Sequence, residues 1–454
     1  MMRRIGQFVL VGTILLILVA NMQATDSRKI VLTGTIYHEL TPAGMVITTV
    51  DSLLNPIYML DNPNYVNIDY DGAVYSGFGF AKMESFGLPG VLGLQIGKRY
   101  GSYRNNIWAG PGQDINSLNG LVTPICGQTN VGVDGVNVTD IDGVRSFGIY
   151  YALPLGDKLK AGFGVNYVGR GVSGARISDP QSVLTEKDDI FKKKISTTMF
   201  RAGFGYALKD NIDLAFDIGL GKPKYLYEYT IAAGSTADNE KASLSGSDMD
   251  TSIRVNFSIN ENTSLIANLS YLSYGGSLKV DPDTDTADDA TTYKRAQKSL
   301  VFLAGPLLHG EGYNVGFQVG FMTDKSKEEM SVETADTDSQ KNNPSLSYFP
   351  ILRILAEKQL FNWFTMRASI TFETSKEKTL TNPDTDPATE DWKTISAQAT
   401  SSLTPAFGFT VNMKKGFFIE AYMYDTIFLR GPWFLTGNIS GPDLNIGVSL
   451  GVKL

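Results

Sequence analysis

Cysteine and histidine are almost absent from this chain of 454 residues, which contains one Cys and two His. Cys126 has no partner for an internal disulfide, and one thiol with His38 and His309 cannot supply the ligands of a zinc site. A hydrolase would need a histidine beside a serine, whereas we expect His309 in a short turn and His38 in the N-terminal segment. The sequence therefore predicts no enzyme, no cofactor and no metal site.

Long apolar runs are missing after the N-terminus, where no segment approaches the ~20 residues that a membrane helix needs. Clusters of basic residues are missing too, and the formal net charge is −7. We therefore expect no nucleic-acid partner, because phosphate neutralisation requires grouped Lys and Arg. Residues 1–24 differ: two arginines precede a short apolar run, as in a signal peptide cleaved after Ala20 or Ala24. An uncleaved membrane anchor is the alternative.

What the sequence does contain, from about Asn67 onward, is an alternation of apolar with small or polar residues. In 211–221, Leu214 and Phe216 fall on one face while Asp213 and Asp217 fall on the other. The same period of two returns in four further stretches: 252–260, 313–321, 364–373 and 444–453. A period of two indicates β-strands with two chemically different faces.

The connections between these stretches also alternate, between short turns and long polar loops. We expect short turns at 155–158, 209–211, 260–263, 309–312, 357–362 and 413–416, and long loops at 173–189, 232–245, 279–292, 331–344, 379–391 and 431–442. Short connections at one end and long ones at the other are typical of outer-membrane barrels. The fold prediction is therefore all-β: a transmembrane antiparallel β-barrel over 67–454, in the bacterial cell outer membrane.

The number of strands follows less directly from the pattern. Fifteen stretches have strand character, whereas bacterial barrels have even numbers. Either 30–37 supplies a sixteenth strand, or one of the first two stretches, 67–81 and 90–99, lies outside the wall. We predict 14 strands and keep 16 as the alternative.

Residues 25–66 do not alternate, and they contain two Asn-Pro steps, Asn55-Pro56 and Asn62-Pro63, shortly after Asp51. An exported chain with a small-residue segment, an acidic residue and an Asn-Pro step, followed by a barrel, resembles the long-chain fatty acid outer-membrane transporter (FadL/TodX-like) family. The resemblance implies an N-terminal hatch that plugs the lumen of a 14-stranded barrel. Without it, each Asn-Pro step would be a plain turn at the barrel entrance.

The resemblance further implies passive passage of small hydrophobic molecules, such as fatty acids or aromatic hydrocarbons, through a lumenal pocket. The expected ligand or plug residues come from the hatch: Met45, Val46, Ile47, Asp51, Asn55, Pro56, Ile57, Tyr58, Met59, Leu60, Asn62 and Pro63. Pro306 and Pro350 would either mark an opening in the wall or simply end strands. The alternatives to a transporter are a surface structural, adhesion or secretion-apparatus barrel acting through acidic outer loops, and a general porin.

Several charged residues fall on strand positions that we expect to face the lumen: Arg201, Asp213, Asp217, Arg254, Arg367, Glu373 and Glu420. These residues would either select solutes and anchor the hatch, or pair with one another and fill the lumen. We favour pairing, because buried charges are usually paired. The expected partners are the lipid bilayer, lipopolysaccharide and hydrophobic small molecules; the sequence does not fix the oligomeric state.

Overall fold

The chain forms a closed antiparallel β-barrel. A computed structural model describes residues 31–32, 45–49, 51–70, 75–97, 145–176, 189–230, 240–281, 291–332, 340–382, 393–413, 416–424 and 445–453, so the predicted signal peptide lies outside the described residues. Neighbouring strands in the chain pair with each other, and the first strand pairs with the last to close the barrel. The sixteen strands in this part of the chain are β1 (Tyr65–Tyr70), β2 (Tyr75–Lys82), β3 (Val91–Gly97), β4 (Arg145–Leu155), β5 (Leu159–Arg176), β6 (Asp189–Lys209), β7 (Ile212–Thr230), β8 (Glu240–Asn260), β9 (Thr263–Asp281), β10 (Thr291–Gly310), β11 (Tyr313–Val332), β12 (Gln340–Phe361), β13 (Phe364–Asn382), β14 (Lys393–Asn412), β15 (Phe417–Tyr424) and β16 (Asn445–Lys453).

The prediction of 14 strands is wrong, and the alternative of 16 is confirmed. The stretch 67–81, which we expected to be one strand, contains most of β1 and β2, which pair from Tyr65↔Phe80 to Tyr70↔Tyr75. The sequence between these strands contains Asp71-Gly72, a dipeptide that favours hairpin turns. Within the stretch 30–37, the described residues Val31 and Leu32 are helical and belong to none of the sixteen described strands.

The alternation assigns the two faces of the wall correctly. On β7, Leu220 is 49% exposed and Asp217 is 1% exposed, while on β11 Phe317 is 43% exposed and Gln318 is fully buried. In lipid the apolar face turns outward and the polar face lines the lumen. Closure of the barrel pairs the edge strands, so the backbone groups of the wall find partners without water.

The strands differ in length around the barrel. Strands β5 to β14 have 18 to 22 residues, whereas β1 to β4, β15 and β16 have 6 to 11. A tilted strand crosses a bilayer in about 9 to 11 residues. The long strands therefore continue well past the membrane at the end away from the short turns.

The predicted short turns lie at one end of the barrel. The turns between β4 and β5 and between β10 and β11 contain Gly156 and Gly312, whose φ angles are 76° and 68°. Positive φ favours glycine because it has no Cβ. At the opposite end the strands run further than predicted, since β5 reaches Arg176 and β8 already begins at Glu240.

Neither predicted proline interruption ends a strand. Pro306 lies within β10, where pairing with β11 skips from Ala304↔Val319 to Leu307↔Gly316 while pairing with β9 continues. Pro350 lies within β12 at a register shift toward both neighbours. Proline cannot donate to the ladder, so each position is a local irregularity in a wall that stays closed.

Two short helical elements lie inside the barrel: helix α1 (Asp51–Leu54) and the 3₁₀ helix η1 (Pro56–Asp61). A second 3₁₀ helix, η2 (Glu84–Phe86), lies between β2 and β3. Among the residues that the structure describes, no helix is both long and apolar enough to cross a membrane.

Candidate functional site

The lumen contains a plug segment, which we define as residues 45–49 and 51–62. Its bends are fixed by two side-chain caps: Asp51 Oδ2 accepts hydrogen bonds from the Thr48 backbone N (2.7 Å) and hydroxyl (2.9 Å), and Asn55 Oδ1 accepts one from Ile57 N (3.3 Å). Pro56 begins η1, where its missing N–H costs no hydrogen bond. The first Asn-Pro step is therefore a helix cap within the lumen, not a turn at the barrel entrance.

The second Asn-Pro step ends the plug segment. Asn62 is the C-cap of η1, and its backbone N–H donates to Met59 O at 3.2 Å. Pro63 follows outside the helix, as is common after a C-terminus because proline cannot continue the helix. The barrel wall begins two residues later, at Tyr65.

A row of strand glycines lets the plug segment approach the wall closely. We call Gly93 on β3, Gly162 on β5, and Gly203 and Gly205 on β6 the glycine platform. A Cβ at Gly162 would lie 2.8 Å from Pro56 Cβ, one at Gly93 would lie 2.5 Å from Met59 Sδ, and one at Gly203 would overlap Asn55 Oδ1. Glycine inside a strand often marks a close backbone approach, and here it makes room for η1.

Three polar contacts anchor the plug segment to the wall. Asn55 Nδ2 donates to the Phe216 carbonyl of β7 at 3.3 Å. Arg254 Nη2, on β8, donates to the Met45 carbonyl at 3.0 Å. Lys160 Nζ lies 3.2 Å from Asp61 Oδ1, and both side chains are nearly half exposed. The anchors lie along the segment, so it is held at both ends as well as at its centre.

The apolar plug residues are packed against the wall. Ile57 and Tyr58 pack with Ile47 and Ala215, and burial raises the pKa of the Tyr58 phenol, which therefore stays neutral. Two further clusters bury the remaining apolar plug residues: Leu53, Met59 and Leu60 with Tyr65, Phe78, Phe80, Val91, Tyr150, Ala152 and Phe418, and Met45 and Val46 with Leu32, Ile266, Leu307 and Leu355. The predicted pocket residues are thus buried or partly buried packing contacts in this conformation.

A polar cavity of about 450 Å³ lies beside the plug segment at the short-turn end of the barrel. We call it the vestibule. Thr49 and Asn62 contribute to it from the plug segment, and four of its side chains are charged: Glu357, Arg367, Glu420 and Lys453. Its remaining lining residues come from β1, β10 to β15 and the adjoining turn: Tyr65, Gly310, Gly312, Tyr313, Asn314, Gln359, Thr365, Thr410, Asn412 and Phe418.

Arg367 joins two carboxylates across the vestibule. Its Nε lies 2.6 Å from Glu357 Oε2, and its Nη2 lies 3.4 Å from Glu420 Oε1. Thr410 Oγ1 donates to Glu420 Oε1 at 2.9 Å, and Asn314 Nδ2 donates to Glu357 Oε1 at 3.0 Å. The arginine is 5% exposed, so these contacts replace most of its lost hydration.

The other predicted lumen charges have different surroundings. Arg201 Nη1 lies 3.2 Å from Asp250 Oδ1 in a fully buried ion pair, and Asp217 accepts a short hydrogen bond from Ser252. Glu373 is buried and Asp213 is exposed. Arg201 and Arg367 thus fit the pairing interpretation, whereas Arg254, described above, contacts the plug segment.

A second apolar cluster lies buried on the lumenal side of the wall, further from the short turns. Its members, which we call the apolar strip, come from four adjacent strands and are at most 3% exposed: Leu272, Val301, Leu303, Met322 and Ile351. Tyr348 packs against this cluster. Sequence patterns missed the strip because polar neighbours such as Ser299 and Gln318 occupy the same lumenal faces.

His309 lies on β10 rather than in the predicted turn, and its Nε2 is 3.1 Å from Ser264 Oγ. Sequence analysis missed this pair because the two residues are 45 positions apart. A nucleophilic serine also needs a group that orients the histidine ring and donors for an oxyanion. The described surroundings provide no orienting carboxylate for the ring, so the pair does not form a triad.

The sequence matches no protein-family model, and no curated protein matches it. Among solved structures, the chain is similar to the toluene transporter TodX of Pseudomonas putida, at 11% identity over 93% of this chain and 98% of that chain, with a TM-score of 0.35. It is also similar to the toluene transporter TbuX of Ralstonia pickettii (10% identity, 93% and 98% covered, TM-score 0.37) and to the translocator domain of the autotransporter NalP of Neisseria meningitidis (12% identity, 66% and 89% covered, TM-score 0.29).

The geometry itself establishes the location. A closed antiparallel barrel with an apolar outer face, a polar lumen and short turns at one end is the outer-membrane type. The chain is an outer-membrane β-barrel. By the same rule, the short turns and the vestibule face the periplasm.

Proposed function

We propose that this protein is a passive outer-membrane transporter for small hydrophobic solutes, such as fatty acids or aromatic hydrocarbons. The observation that carries the proposal is the plug segment, which packs on the glycine platform inside the lumen. A general porin needs a continuous water-filled channel for polar solutes. A lumen closed by a docked segment instead suits a carrier that admits selected solutes.

The apolar strip supports a hydrophobic cargo. Porin lumens are polar, whereas Leu303, Met322 and Ile351 offer adjoining apolar side chains on the lumenal face. Apolar lining with a few polar groups is the usual composition of a site for small hydrophobic ligands. The strip is covered in this conformation and lies further from the periplasmic end than Leu307 and Leu355, which contact the plug segment. A solute from outside that displaces this cover would therefore reach the strip before the plug segment.

Channel conductance tests whether the plug segment closes the lumen. Full-length mature protein in planar bilayers is expected to pass no steady current, whereas a variant lacking 45–61 should form open channels. Steady current from the intact protein would instead identify a porin.

Solute uptake tests whether the protein transports hydrophobic molecules. Proteoliposomes carrying the intact protein should take up toluene or a long-chain fatty acid with saturation. Leu303→Asn should reduce that uptake several-fold, because it places an amide in the apolar strip, whereas Ser299→Asn on the same lumenal face should not. Equal uptake by the two variants would remove the strip from the transport path.

A surface interaction barrel is the second candidate. The observation that favours it is the length of β5 to β14, which extends the wall past the membrane. This function predicts a closed lumen in the conductance measurement and no uptake of either solute, so the two experiments together separate the candidates.

A further inference from the structure

Three strands on one side of the barrel, β10, β11 and β13, change on their outward faces from apolar residues to lysine. The outward face of β10 is apolar from Leu308 to Leu300, and Lys298 follows. On β13 the outward face runs from Phe364 to Thr374, and Lys376 follows. On β11 the corresponding span ends at Thr323, and Lys325 follows. Each span has the ~9 to 11 residues of a bilayer crossing, so the lysines begin where the outer leaflet ends.

The lysines of these strands form one patch on the outside of the barrel. Lys298 and Lys325 are paired directly in the β10–β11 register, and Ser345 lies between Lys325 and Lys378. Paired positions place Cβ atoms about 5 Å apart, where two like charges repel. The members of this lysine patch are all exposed: Lys294, Lys298, Lys325, Lys327, Lys376 and Lys378.

Few carboxylates lie near the patch: within the described residues, Glu329 faces Lys294 in the β10–β11 register. Within the described residues, no ion pair joins any of the six lysines to an acidic side chain. Beyond the apolar spans of β10, β11 and β13, Glu329 is the one acidic residue that faces outward among the described positions. A chain with a net charge of −7 thus concentrates positive charge at the membrane surface.

Aromatic side chains lie directly on the membrane side of the patch. Phe302 and Phe321 face the lipid on β10 and β11, with ring centroids 5.9 Å apart, and Phe349 on β12 is 70% exposed. The surface therefore combines cations at headgroup level with rings at acyl-chain level. An anionic lipid carries complementary chemistry in the same order.

Lysines also follow the apolar span on β7, where Lys222 and Lys224 are exposed on the outward face beyond Leu220. There Lys224 lies between Ser196 and Ser245, whereas Lys298 and Lys325 of the patch face each other directly. The patch is therefore distinguished by the close spacing of its lysines.

We infer that the lysine patch is a binding site for the phosphate groups of lipid A, the phosphorylated glycolipid of the outer leaflet. Lys binds phosphate as a point charge, and each Lys near an anionic membrane surface strengthens binding roughly fivefold. Two phosphates on one lipid would relieve the repulsion between Lys298 and Lys325. The acyl chains would lie along Phe302, Phe321 and Phe349. The inference depends on the membrane orientation and not on the solute carried.

The test compares two variants with equal charge change. Lys298→Gln/Lys325→Gln removes the facing pair of the patch, and the control Lys158→Gln/Lys209→Gln removes two exposed lysines at the short-turn end. Each full-length barrel, extracted from its native membrane, is analysed by mass spectrometry for bound lipid A and then titrated with lipid A in detergent. We expect binding to weaken roughly tenfold or more in the patch variant and to stay unchanged in the control.

Three further arms sharpen the result. Lys298→Arg/Lys325→Arg should restore binding, dephosphorylated lipid A should bind intact and variant barrels equally weakly, and added salt should weaken only the phosphorylated lipid. Unchanged lipid A binding by the Gln variant would overturn the inference. Equally tight binding of phosphatidylglycerol or of inorganic phosphate to the intact patch would overturn the assignment to lipid A.

Discussion

The plug segment meets two very different surfaces. Toward β3, β5 and β6 it lies on the glycine platform, where the backbones approach so closely that a single methyl group at Gly203 would collide with Asn55. Toward the vestibule, Thr49 and Asn62 border a polar cavity of about 450 Å³. One side is held by close packing, and the other borders a polar cavity.

This difference indicates how the lumen can open. Protein interiors are close-packed and resist displacement, so the segment has no room to move toward the platform. The vestibule provides room on the other side, and its polar walls can solvate the backbone of a displaced segment. Opening should therefore move the plug segment from the platform toward the vestibule.

Removing Arg367, the central cation of the vestibule, should cause the largest loss in the free energy of unfolding. Arg367→Met would leave Glu357 and Glu420 without their shared partner, at a cost of about 3–5 kcal/mol in the free energy of unfolding. Urea unfolding in detergent measures the loss. The double variant Arg367→Met/Glu357→Gln should recover part of it, because one stranded charge is gone. A loss below about 1 kcal/mol for Arg367→Met would mean that water already screens the network.

Crowding the glycine platform should lower the free energy of unfolding less than Arg367→Met does, but it should increase channel conductance more. Gly203→Ala places a methyl group against Asn55, so we expect a loss of about 1–3 kcal/mol together with frequent channel openings in planar bilayers. Gly275→Ala on β9 is the matched control, since its Cβ would meet nothing nearer than 3.7 Å. If the channels of both variants stay closed, close packing against the glycine platform is not what keeps the plug segment in place.

The wall of the barrel could be predicted from the sequence more completely than its contents. Lipid imposes a strict alternation, so the lipid and lumen faces around Asp217 and Arg367 followed from a period of two. Beyond the membrane both faces carry polar residues, such as Lys325, Ser326 and Lys327, so hydrophobicity no longer alternates along the strand. For that reason the predicted strands were too short. One strand was missed because Asp71-Gly72 was counted as part of a single long strand.

The site depended on information that a single sequence does not carry. The Asn55-Pro56 step stood out in the sequence because caps leave a local signal, and in the structure Asn55 caps η1. Gly162 and Gly203 carried a weaker signal, as glycines inside strands, which sequence analysis did not use. Glu357, Arg367 and Glu420 meet only through the registers of β12 to β15, and no local pattern joins residues 10 and 53 positions apart.

The smallest expected effect comes from the ion pair at the rim of the plug segment. Lys160 and Asp61 are 47% and 43% exposed, so their interaction should contribute less than about 1 kcal/mol. A double-mutant cycle of Lys160→Ala and Asp61→Asn isolates the coupling between the two side chains, with urea unfolding and channel opening frequency as the two measurements. Lys158→Ala, an exposed neighbour in the same turn region, controls for the loss of charge. Two outcomes would contradict this expectation: a coupling above about 2 kcal/mol, or an opening frequency as high as that of Gly203→Ala. Either would show that the ion pair at the rim holds the plug segment as firmly as packing on the glycine platform does.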